Sequence, residues 1–340
     1  MGKKFNLAVV GATGAVGEAM LSILAERKFP VCKIYALASS CSVGKKVEFG
    51  NRWLKVEALD DFDFSKAELA LFSAGSGISK AFVPKAVDAG CVVIDDTPCF
   101  RYEADIPLVV PEVNPEAIAG YFHQGIVANP SCSTIQMVVA LKPIYDAVGI
   151  MRINVCTYQA VSSSGKEGIE ELAMQTANLL NMKSVDADLY PKQIAFNVLP
   201  QIDLFQENGY TREEMKLVLE TRKIMGDDAI LVNPTAVRVP VFYGHSEALH
   251  IETRKKIRAE EARALLAQAA GVTVIDECCD GGYPTAVTDS VGKDATFVGR
   301  IREDISHPCG LDMWVVSDNV RKGAALNSVQ IAEILVKDYL

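Results

Sequence analysis

The sequence predicts an α/β fold, in which a doubly wound parallel sheet precedes an α+β domain and a C-terminal helix returns to the first domain. Apolar strand-like runs alternate with helical segments through the first 128 residues, the alternation is lost after about residue 150, and a helical stretch covers 320–340. Strand–helix alternation is typical of a parallel sheet covered by helices. We therefore assign 1–128 and 319–340 to the first domain and 129–318 to the second.

The composition indicates a soluble globular protein, with 49% hydrophobic and 23% charged residues among 340. A formal net charge of -9 argues against nucleic-acid and anionic-membrane partners, and no apolar run reaches membrane-spanning length. The 9 cysteines follow neither a disulfide framework nor a zinc-ligand spacing. We therefore expect reduced thiols, a cytoplasmic location and no metal site.

A glycine-rich turn follows the first predicted strand, Phe5–Val10, and leads into a helix. Its glycines allow a tight turn and a close approach of backbone N–H groups to a pyrophosphate. The spacing is GxxGxxG rather than GxGxxG, so a plain strand-to-helix turn is the alternative. The candidate dinucleotide contacts in this turn are Gly11, Thr13, Gly14, Ala15 and Val16.

The end of the second predicted strand, Lys33–Ala38, bears on the choice of cofactor. An NAD site normally carries an Asp or Glu at this point to bind the ribose hydroxyls. Here the strand leads instead into Ser40, Cys41 and Ser42, with Lys45 and Lys46 just beyond. Hydroxyls and nearby lysines tolerate a 2′-phosphate, so the sequence favours NADP, with a plain polar loop as the alternative.

Further apolar runs should complete the first sheet. They are Leu69–Ala74, Cys91–Ile94, Leu108–Asn114 and Gly125–Ala128. Arg101 follows the second of these runs, and it should lie at the carboxyl edge of the sheet, where ligands of doubly wound folds bind. A lone arginine is more often a surface residue.

A candidate nucleophile, Cys132, lies where the last of these strands gives way to a helix. Asn129-Pro130 breaks the strand, and the helix runs from about Thr134 to Val148, with Pro143 expected to kink or break it. Free N–H groups and the helix dipole stabilise a thiolate and an oxyanion at such a helix start. The alternative is a small buried thiol.

The second domain begins with a predicted strand, Met151–Val161, and has helices over 165–180 and 211–225. In the second helix, Thr211 and Glu214 fit a capping box. Spacing places four alternating charges on one face of that helix. They are Glu213, Lys216, Glu220 and Lys223. Taken alone, the pattern is typical of a solvated ion-pair stripe.

His245 is the best general-base candidate among the 4 histidines, because it follows Gly244 between two predicted strands. The strands of this region should form an antiparallel sheet. They are Ala229–Val232, Ala236–Val241 and Ser246–Glu252. We expect His245 to meet Cys132 across a cleft between the domains.

Together these features resemble the aspartate-β-semialdehyde dehydrogenase family nearly from end to end. The resemblance is carried by GATGAVG at 11–17, PLVVPEVN at 107–114, ANPSCSTIQ at 128–136 and YQAV at 158–161, and further along by EEMK at 213–216, RVPVFYGHS at 238–246 and SDNVRKGAALN at 317–327.

The resemblance implies reversible, NADP-dependent conversion of L-aspartyl 4-phosphate to L-aspartate 4-semialdehyde and phosphate, on the route to lysine, threonine and methionine. Cys132 would attack the carbonyl carbon and His245 would exchange the hydroxyl proton. Gln159 would orient the acyl intermediate. Arg101 and Lys216 match phosphate-binding positions, whereas Arg238 and Glu213 match positions that take the substrate carboxylate and amino group.

The resemblance also implies further cofactor contacts at Ser162, Ser163 and Asn319, and a homodimer or a dimer of dimers. The chain departs from the family at Ser131, where Asn is usual, at Cys41, where Arg is frequent, at Asp96–Cys99, and in the loop 162–165, which is usually Gly-rich. Two alternatives stay open: a degenerate paralogue that binds a nucleotide without turnover, and N-acetyl-glutamyl-phosphate reductase, which shares the chemistry.

Overall fold

The computed structural model describes residues 3–340 and divides into two compact units. One unit ends at Ser131 and resumes over Ala324–Leu340, and the other is Cys132–Gly323. The α/β class predicted from the sequence is confirmed. The predicted boundaries, at 128 and 319, fall a few residues earlier than the observed ones, and the roles given to the two domains stay predictions. Over residues 3–340 no helix is long and apolar enough to cross a bilayer.

A seven-stranded sheet of order β3-β4-β2-β1-β5-β6-β7 forms the first unit. Its strands are β1 (Phe5–Val10), β2 (Val31–Ala38), β3 (Lys46–Phe49), β4 (Arg52–Ala58), β5 (Leu69–Phe72), β6 (Val92–Asp95) and β7 (Ile126–Ala128). All neighbours pair in parallel except the β3–β4 hairpin. Helices α1 (Ala15–Glu26) and α2 (Ser76–Asp88) follow β1 and β5. Neither β3 nor β4 was predicted from the sequence.

The prediction of a strand over Leu108–Asn114 is wrong. Only Leu108 forms a β-bridge, with Ala128. The Asn114 side chain accepts from the Val110 N–H at 2.9 Å and donates to the Leu108 carbonyl at 2.9 Å. These bonds satisfy backbone groups that a strand would present to a neighbour, so the apolar run folds back on itself instead of pairing.

A six-stranded sheet of order β11-β12-β13-β10-β8-β9 forms the second unit. Its strands are β8 (Ile150–Gln159), β9 (Leu231–Arg238), β10 (His245–Thr253), β11 (Val272–Val274), β12 (Thr296–Glu303) and β13 (Gly310–Ser317). Its helices are α3 (Cys132–Val148), α4 (Gly165–Leu180), α5 (Arg212–Met225) and α6 (Ala259–Gln268). The expected antiparallel sheet is a mixed one, because β8–β9 and β11–β12 pair in parallel.

Two interruptions predicted in this unit, a gap between the strands Ala229–Val232 and Ala236–Val241 and a possible break of the helix at Pro143, are absent. The two strands expected on either side of Pro234 are one strand, β9, which lies at the edge of its sheet, where a missing N–H is tolerated. Helix α3 continues through Pro143 to Val148. Its apolar face packs into the core of the unit through Met137 and Ile144, which lie on both sides of the proline. This packing outweighs the loss of one helical hydrogen bond.

The C-terminal segment returns to the first unit, as predicted. It consists of a short π-helix at Arg321–Leu326, helix α7 (Asn327–Ile334) and a second short π-helix at Leu335–Tyr339, rather than one regular α-helix. Val329 and Ile331 of α7 belong to the buried core that contains residues of β1 and α1.

Candidate active site

Cys132 is the first residue of α3, as the strand break at Asn129-Pro130 predicted. The N–H groups of this first turn have no partner within the helix, so the position favours a thiolate. Arg238 lies within electrostatic reach: burial lowers the pKa of its guanidinium, and its neighbours Tyr190, Glu213 and Cys132 partly oppose this. A buried cation near the sulfur favours the thiolate further.

Gly323 packs against Cys132. A Cβ at position 323 would lie 2.6 Å from the Cys132 Cβ and 3.2 Å from its Cα. A side chain there would displace the first turn of α3 and the sulfur it carries.

We expect Gly323→Ala to lower kcat at least about tenfold, because a displacement of about 1 Å at a reacting atom has effects of this size. Gly77→Ala is the matched control, since Gly77 also lies in a helix but its Cβ would meet nothing within 4 Å. Steady-state kinetics and the rate of Cys132 alkylation measure the effect. A Gly323→Ala enzyme as active as Gly77→Ala would contradict the packing argument.

The ends of three strands bring the other predicted groups together. Arg238 on β9 pairs with Gln159 on β8, and the register of Ser246 with Tyr158 sets His245 on β10 beside Gln159. Cys132 and His245 therefore belong to one unit, and the expectation that they meet across a cleft between domains is wrong.

His245 is buried, and its Nδ1 accepts the Ala160 N–H at 3.0 Å. Its Nε2 has no hydrogen-bond partner among the described residues. Burial and the nearby Arg238 charge lower the pKa of the imidazole to about 3, although Glu213 and the Gly244 carbonyl act in the opposite direction. The ring is thus neutral at physiological pH, and Nε2 is the nitrogen left for proton exchange.

Glu213 lies at the centre of a buried polar cluster. Its carboxylate forms an ion pair with Lys216 at 2.9 Å and accepts from Gln159 at 3.2 Å and Ser133 at 3.1 Å. Burial alone would raise its pKa, but Lys216, Gln159 and Arg238 outweigh burial and lower the pKa to about 2. The interpretation of this helix face as a solvated stripe is wrong, because Glu213 and Glu220 are both buried.

Arg238 is buried and fixed at one end of its guanidinium. Nη1 donates to the Ala160 carbonyl at 2.8 Å and to the Ser163 hydroxyl. Its Nε is buried with no hydrogen-bond partner among the described residues. A buried donor of this kind suits a carboxylate ligand. Ser163, which stands in the loop that departs from the family pattern, therefore has a structural use.

Ser162 and Asn319 are joined in the same unit. The Asn319 amide donates to the Ser162 hydroxyl at 3.0 Å, and its oxygen accepts from the Gly244 N–H at 2.9 Å. Both side chains are buried. Asn319 thus fixes the turn that leads into His245.

Arg101 lies in the first unit and is 4% exposed, so it is not a surface residue. Its Nη2 donates to the Asp96 carbonyl at 2.8 Å. The Asp96 carboxylate accepts from Asn129 at 2.6 Å, and Asn129 accepts from Asn327 of α7 at 2.6 Å. Asp96, a departure from the family pattern, is therefore part of the network that fixes the Arg101 loop.

The glycine-rich turn has the geometry that a dinucleotide needs. Gly11 has φ of +87°, and a Cβ at Gly17 would lie 2.2 Å from the Gly11 carbonyl oxygen, so α1 packs directly on the turn. Ala15 and Val16 are the first helical residues after Gly14. A cleft above the turn is lined by residues that include Thr13, Ser39, Asp60 and Ser73.

The cofactor loop after β2 forms a short 3₁₀ turn, Ser40–Ser42, in which Ser42 is buried and Cys41 is exposed. Asp60 was not predicted as a site residue, because the pattern for a ribose-binding carboxylate applies to the end of β2 and not to β4. Asp60 follows β4, which pairs in parallel with β2, and it lines the same cleft as Ser39.

Two family models match this chain: the NAD binding domain of semialdehyde dehydrogenase over residues 6–121 and the dimerisation domain of semialdehyde dehydrogenase over residues 141–322. Fold and site thus define a semialdehyde dehydrogenase. An aspartate-semialdehyde dehydrogenase of Legionella pneumophila is 63% identical over 340 residues, which is 100% of this chain and 98% of that protein. The chain belongs to the aspartate-semialdehyde dehydrogenase family, as the resemblance predicted.

Solved structures agree with this assignment. A crystal structure of aspartate semialdehyde dehydrogenase II from Vibrio cholerae, complexed with ASA, has a TM-score of 0.98 and 57% identity and covers 99% of this chain and 100% of that chain. A Candida albicans aspartate semialdehyde dehydrogenase with NADP has a TM-score of 0.75 and 26% identity, and covers 98% of each chain.

Proposed function

We propose that this protein reduces L-aspartyl 4-phosphate to L-aspartate 4-semialdehyde and phosphate, reversibly and with NADP, in lysine, threonine and methionine biosynthesis. The observation that carries the proposal is the buried arrangement of one unit. There, Cys132 begins a helix, while Gln159, Arg238 and His245 lie at adjoining strand ends beside the Glu213–Lys216 pair.

Cys132 performs the acyl transfer. Its thiolate attacks the C4 carbonyl carbon of the acyl phosphate, a C–S bond forms, the C–O bond to phosphate breaks, and a thioester remains on the sulfur. The N–H groups of the first turn of α3 can stabilise the oxyanion that forms on the way. The amide of Gln159, which also donates to Glu213, orients the acyl group.

When bound, the nicotinamide supplies the hydride that reduces the thioester carbon. Hydride addition leaves the thiohemiacetal oxygen as an alkoxide. The Nε2–H of His245 donates its proton to this oxygen in a hydrogen bond and recovers it as the C=O bond re-forms and the C–S bond breaks, which releases the aldehyde and the thiolate. Because Nδ1 accepts the Ala160 N–H, the proton of the neutral ring lies on Nε2, so the same N–H faces the substrate oxygen in both directions of the reaction.

The charged residues recognise the rest of the substrate. Arg238 offers a buried donor to the α-carboxylate, and Glu213, ionised at neutral pH, takes the ammonium group. Lys216 and Arg101 are the cations assigned to phosphate. The glycine-rich turn, the Ser40–Ser42 turn, Ser162, Ser163 and Asn319 are assigned to the cofactor.

NADP should bind more tightly than NAD, but by a modest margin, because Cys41 stands where the family often has Arg. We expect Cys41→Arg to strengthen NADP binding by about ten- to a hundredfold, since a charge-assisted phosphate contact contributes about 1.5–3 kcal/mol. NAD binding should not change. Cys32→Arg, at another exposed cysteine, is the control for added charge. Isothermal titration that finds tighter NAD than NADP binding by the unaltered protein would overturn the assignment.

We further propose that the protein is a homodimer, or a dimer of dimers, in the cytoplasm. A dimerisation-domain model covers 141–322, and within that range several large apolar side chains are more than half exposed. They include Leu180, Met182, Phe196, Val198, Leu204 and Phe205. Such an apolar set is typical of an interface. Sedimentation of a Leu204→Glu variant, compared with the unaltered chain, tests this surface.

The activity is tested by following NADPH absorbance with aspartate semialdehyde, with and without phosphate. Phosphate-dependent turnover supports the proposal. Nucleotide binding without turnover would instead support the degenerate paralogue. Turnover of N-acetyl-glutamate semialdehyde in preference to aspartate semialdehyde would support the reductase.

A further inference from the structure

A second carboxylate, Glu247, lies beneath the proposed site and has no role in the chemistry described above. It follows His245 by two positions on β10, so both side chains point to the same face of the sheet. Glu247 pairs with Thr157 on β8 and Val315 on β13, and it is 0% exposed. It therefore lies one row below the strand ends that carry the site, between the site and the apolar core.

Gln136 is the polar side chain associated with this carboxyl. It lies on α3 four residues after Cys132, hence one turn further along the same face of the helix, and it is also 0% exposed. Both carboxyl oxygens of Glu247 and both amide atoms of Gln136 are buried without a hydrogen bond of normal length and angle to any described residue. Four such atoms in one place require an explanation.

Burial favours the neutral form of this carboxyl. Burial raises the pKa of Glu247 well above its usual value, and the Gln136 amide opposes this only in part. Thr157 and Val315, its neighbours on β8 and β13, are not ionisable, and the nearest titratable groups along β10 and α3 are His245 and Cys132. None of these neighbours offers a positive charge that would compensate a carboxylate, so burial favours the carboxylic acid form of Glu247.

This neutral acid destabilises the fold at neutral pH. The unfolded chain releases the Glu247 proton above its ordinary pKa, whereas the folded chain keeps it. Folding therefore loses stability as the pH rises from that value toward the folded-state pKa. Glutamine or leucine would fill the position without this loss. Residues that weaken the fold beside a reactive site are often retained for function.

We propose that Glu247 is a positioning residue that pairs with Gln136 and so joins the helix that begins with Cys132 to the strand that begins with His245. A carboxylic acid and a primary amide each offer at least one donor and one acceptor, so they can form a pair of hydrogen bonds. The pair lies one turn below Cys132 and one row below His245, and it sets the separation of the two reacting groups. The inference rests on the proposed function of those two residues.

Two substitutions at Glu247 test whether its neutral, hydrogen-bonding form or its negative charge is needed. Glu247→Gln keeps a donor and an acceptor, so we expect kcat and KM within about threefold of the unaltered enzyme. Glu247→Leu removes the pairing but keeps the volume, so we expect kcat to fall by about ten- to a hundredfold with KM nearly unchanged. Gln136→Leu should match Glu247→Leu, and the double variant should lose no more than either single variant, because one pair is being removed.

Thermal unfolding and alkylation give readouts that do not need turnover. Glu247→Gln should melt at least about 3 °C higher than the unaltered chain at pH 8, and the difference should close near pH 4.5. The pH midpoint of Cys132 alkylation should shift by about half a unit or more in Glu247→Leu and not in Glu247→Gln.

Three results would overturn the inference: equal losses of kcat in Glu247→Gln and Glu247→Leu, an unshifted alkylation midpoint in Glu247→Leu, or a lower melting temperature for Glu247→Gln at pH 8. If the unaltered protein lacks turnover but the alkylation and melting results hold, the proposed function fails and the positioning role stands.

Discussion

Replacing Cys132 with Ser should abolish measurable turnover, a loss of about 10⁴-fold or more. The thiolate is favoured at this position by the start of α3 and by the buried Arg238, whereas a serine hydroxyl stays protonated under the same influences. The substitution changes one atom and removes no large apolar group, so the protein should stay folded. Turnover is followed by NADPH absorbance, and folding by circular dichroism and thermal unfolding.

The other eight cysteines provide the controls for this substitution. Cys32→Ser and Cys309→Ser should retain turnover, because they change thiols outside the cluster described above. Mass spectrometry after brief alkylation should find Cys132 labelled in the unaltered chain and no label there in the variant. Near-normal phosphate-dependent activity of Cys132→Ser, or a folded variant at another cysteine with no activity, would show that the nucleophile is assigned wrongly.

Local signals in the sequence predicted the start of a helix correctly where a single stretch of chain determines its own structure. The break at Asn129-Pro130 set Cys132 at the start of α3, and the Thr211–Glu214 capping box fixed the start of α5. The same signals failed at Leu108–Asn114, since an apolar run indicates burial without saying whether a neighbouring strand is available. There the Asn114 side chain supplied the alternative hydrogen bonds.

The surroundings of the candidate residues depend on contacts between distant segments, which local patterns do not report. Spacing alone does not distinguish the charged stripe on α5 from a solvated one. In the fold, β8 places Gln159, which precedes Glu213 by 54 residues, against the Glu213 carboxylate. Asp60 was missed because β4 was missed, and only the pairing of β2 with β4 brings that carboxylate to the nucleotide cleft. Family resemblance supplied the roles of Gln159, Arg238 and Glu213, which spacing alone could not.

Replacing His245 with Gln should slow turnover by about 10²–10⁴-fold, the range that general acid–base catalysis contributes. Glutamine can keep the hydrogen bond from the Ala160 N–H, so the strand end should hold its shape while the proton-exchanging nitrogen is lost. Cys132 should still react with an alkylating agent. His123→Gln, at an exposed histidine of the other unit, is the control and should leave kcat unchanged.

The same variant tests the charge state of His245 through stability. The folded-state pKa of about 3 lies below the usual value of 6.5, so below pH 6.5 the unfolded chain binds a proton that the folded chain does not. The free energy of unfolding should therefore fall for the unaltered protein as the pH drops from 6.5 toward 3, and it should fall less for His245→Gln. Urea unfolding at pH 7 and pH 5 measures the difference. Equal pH dependence in the two proteins would mean that His245 is not held neutral by burial, and the assignment of Nε2 as a proton-exchanging group would lose its physical basis.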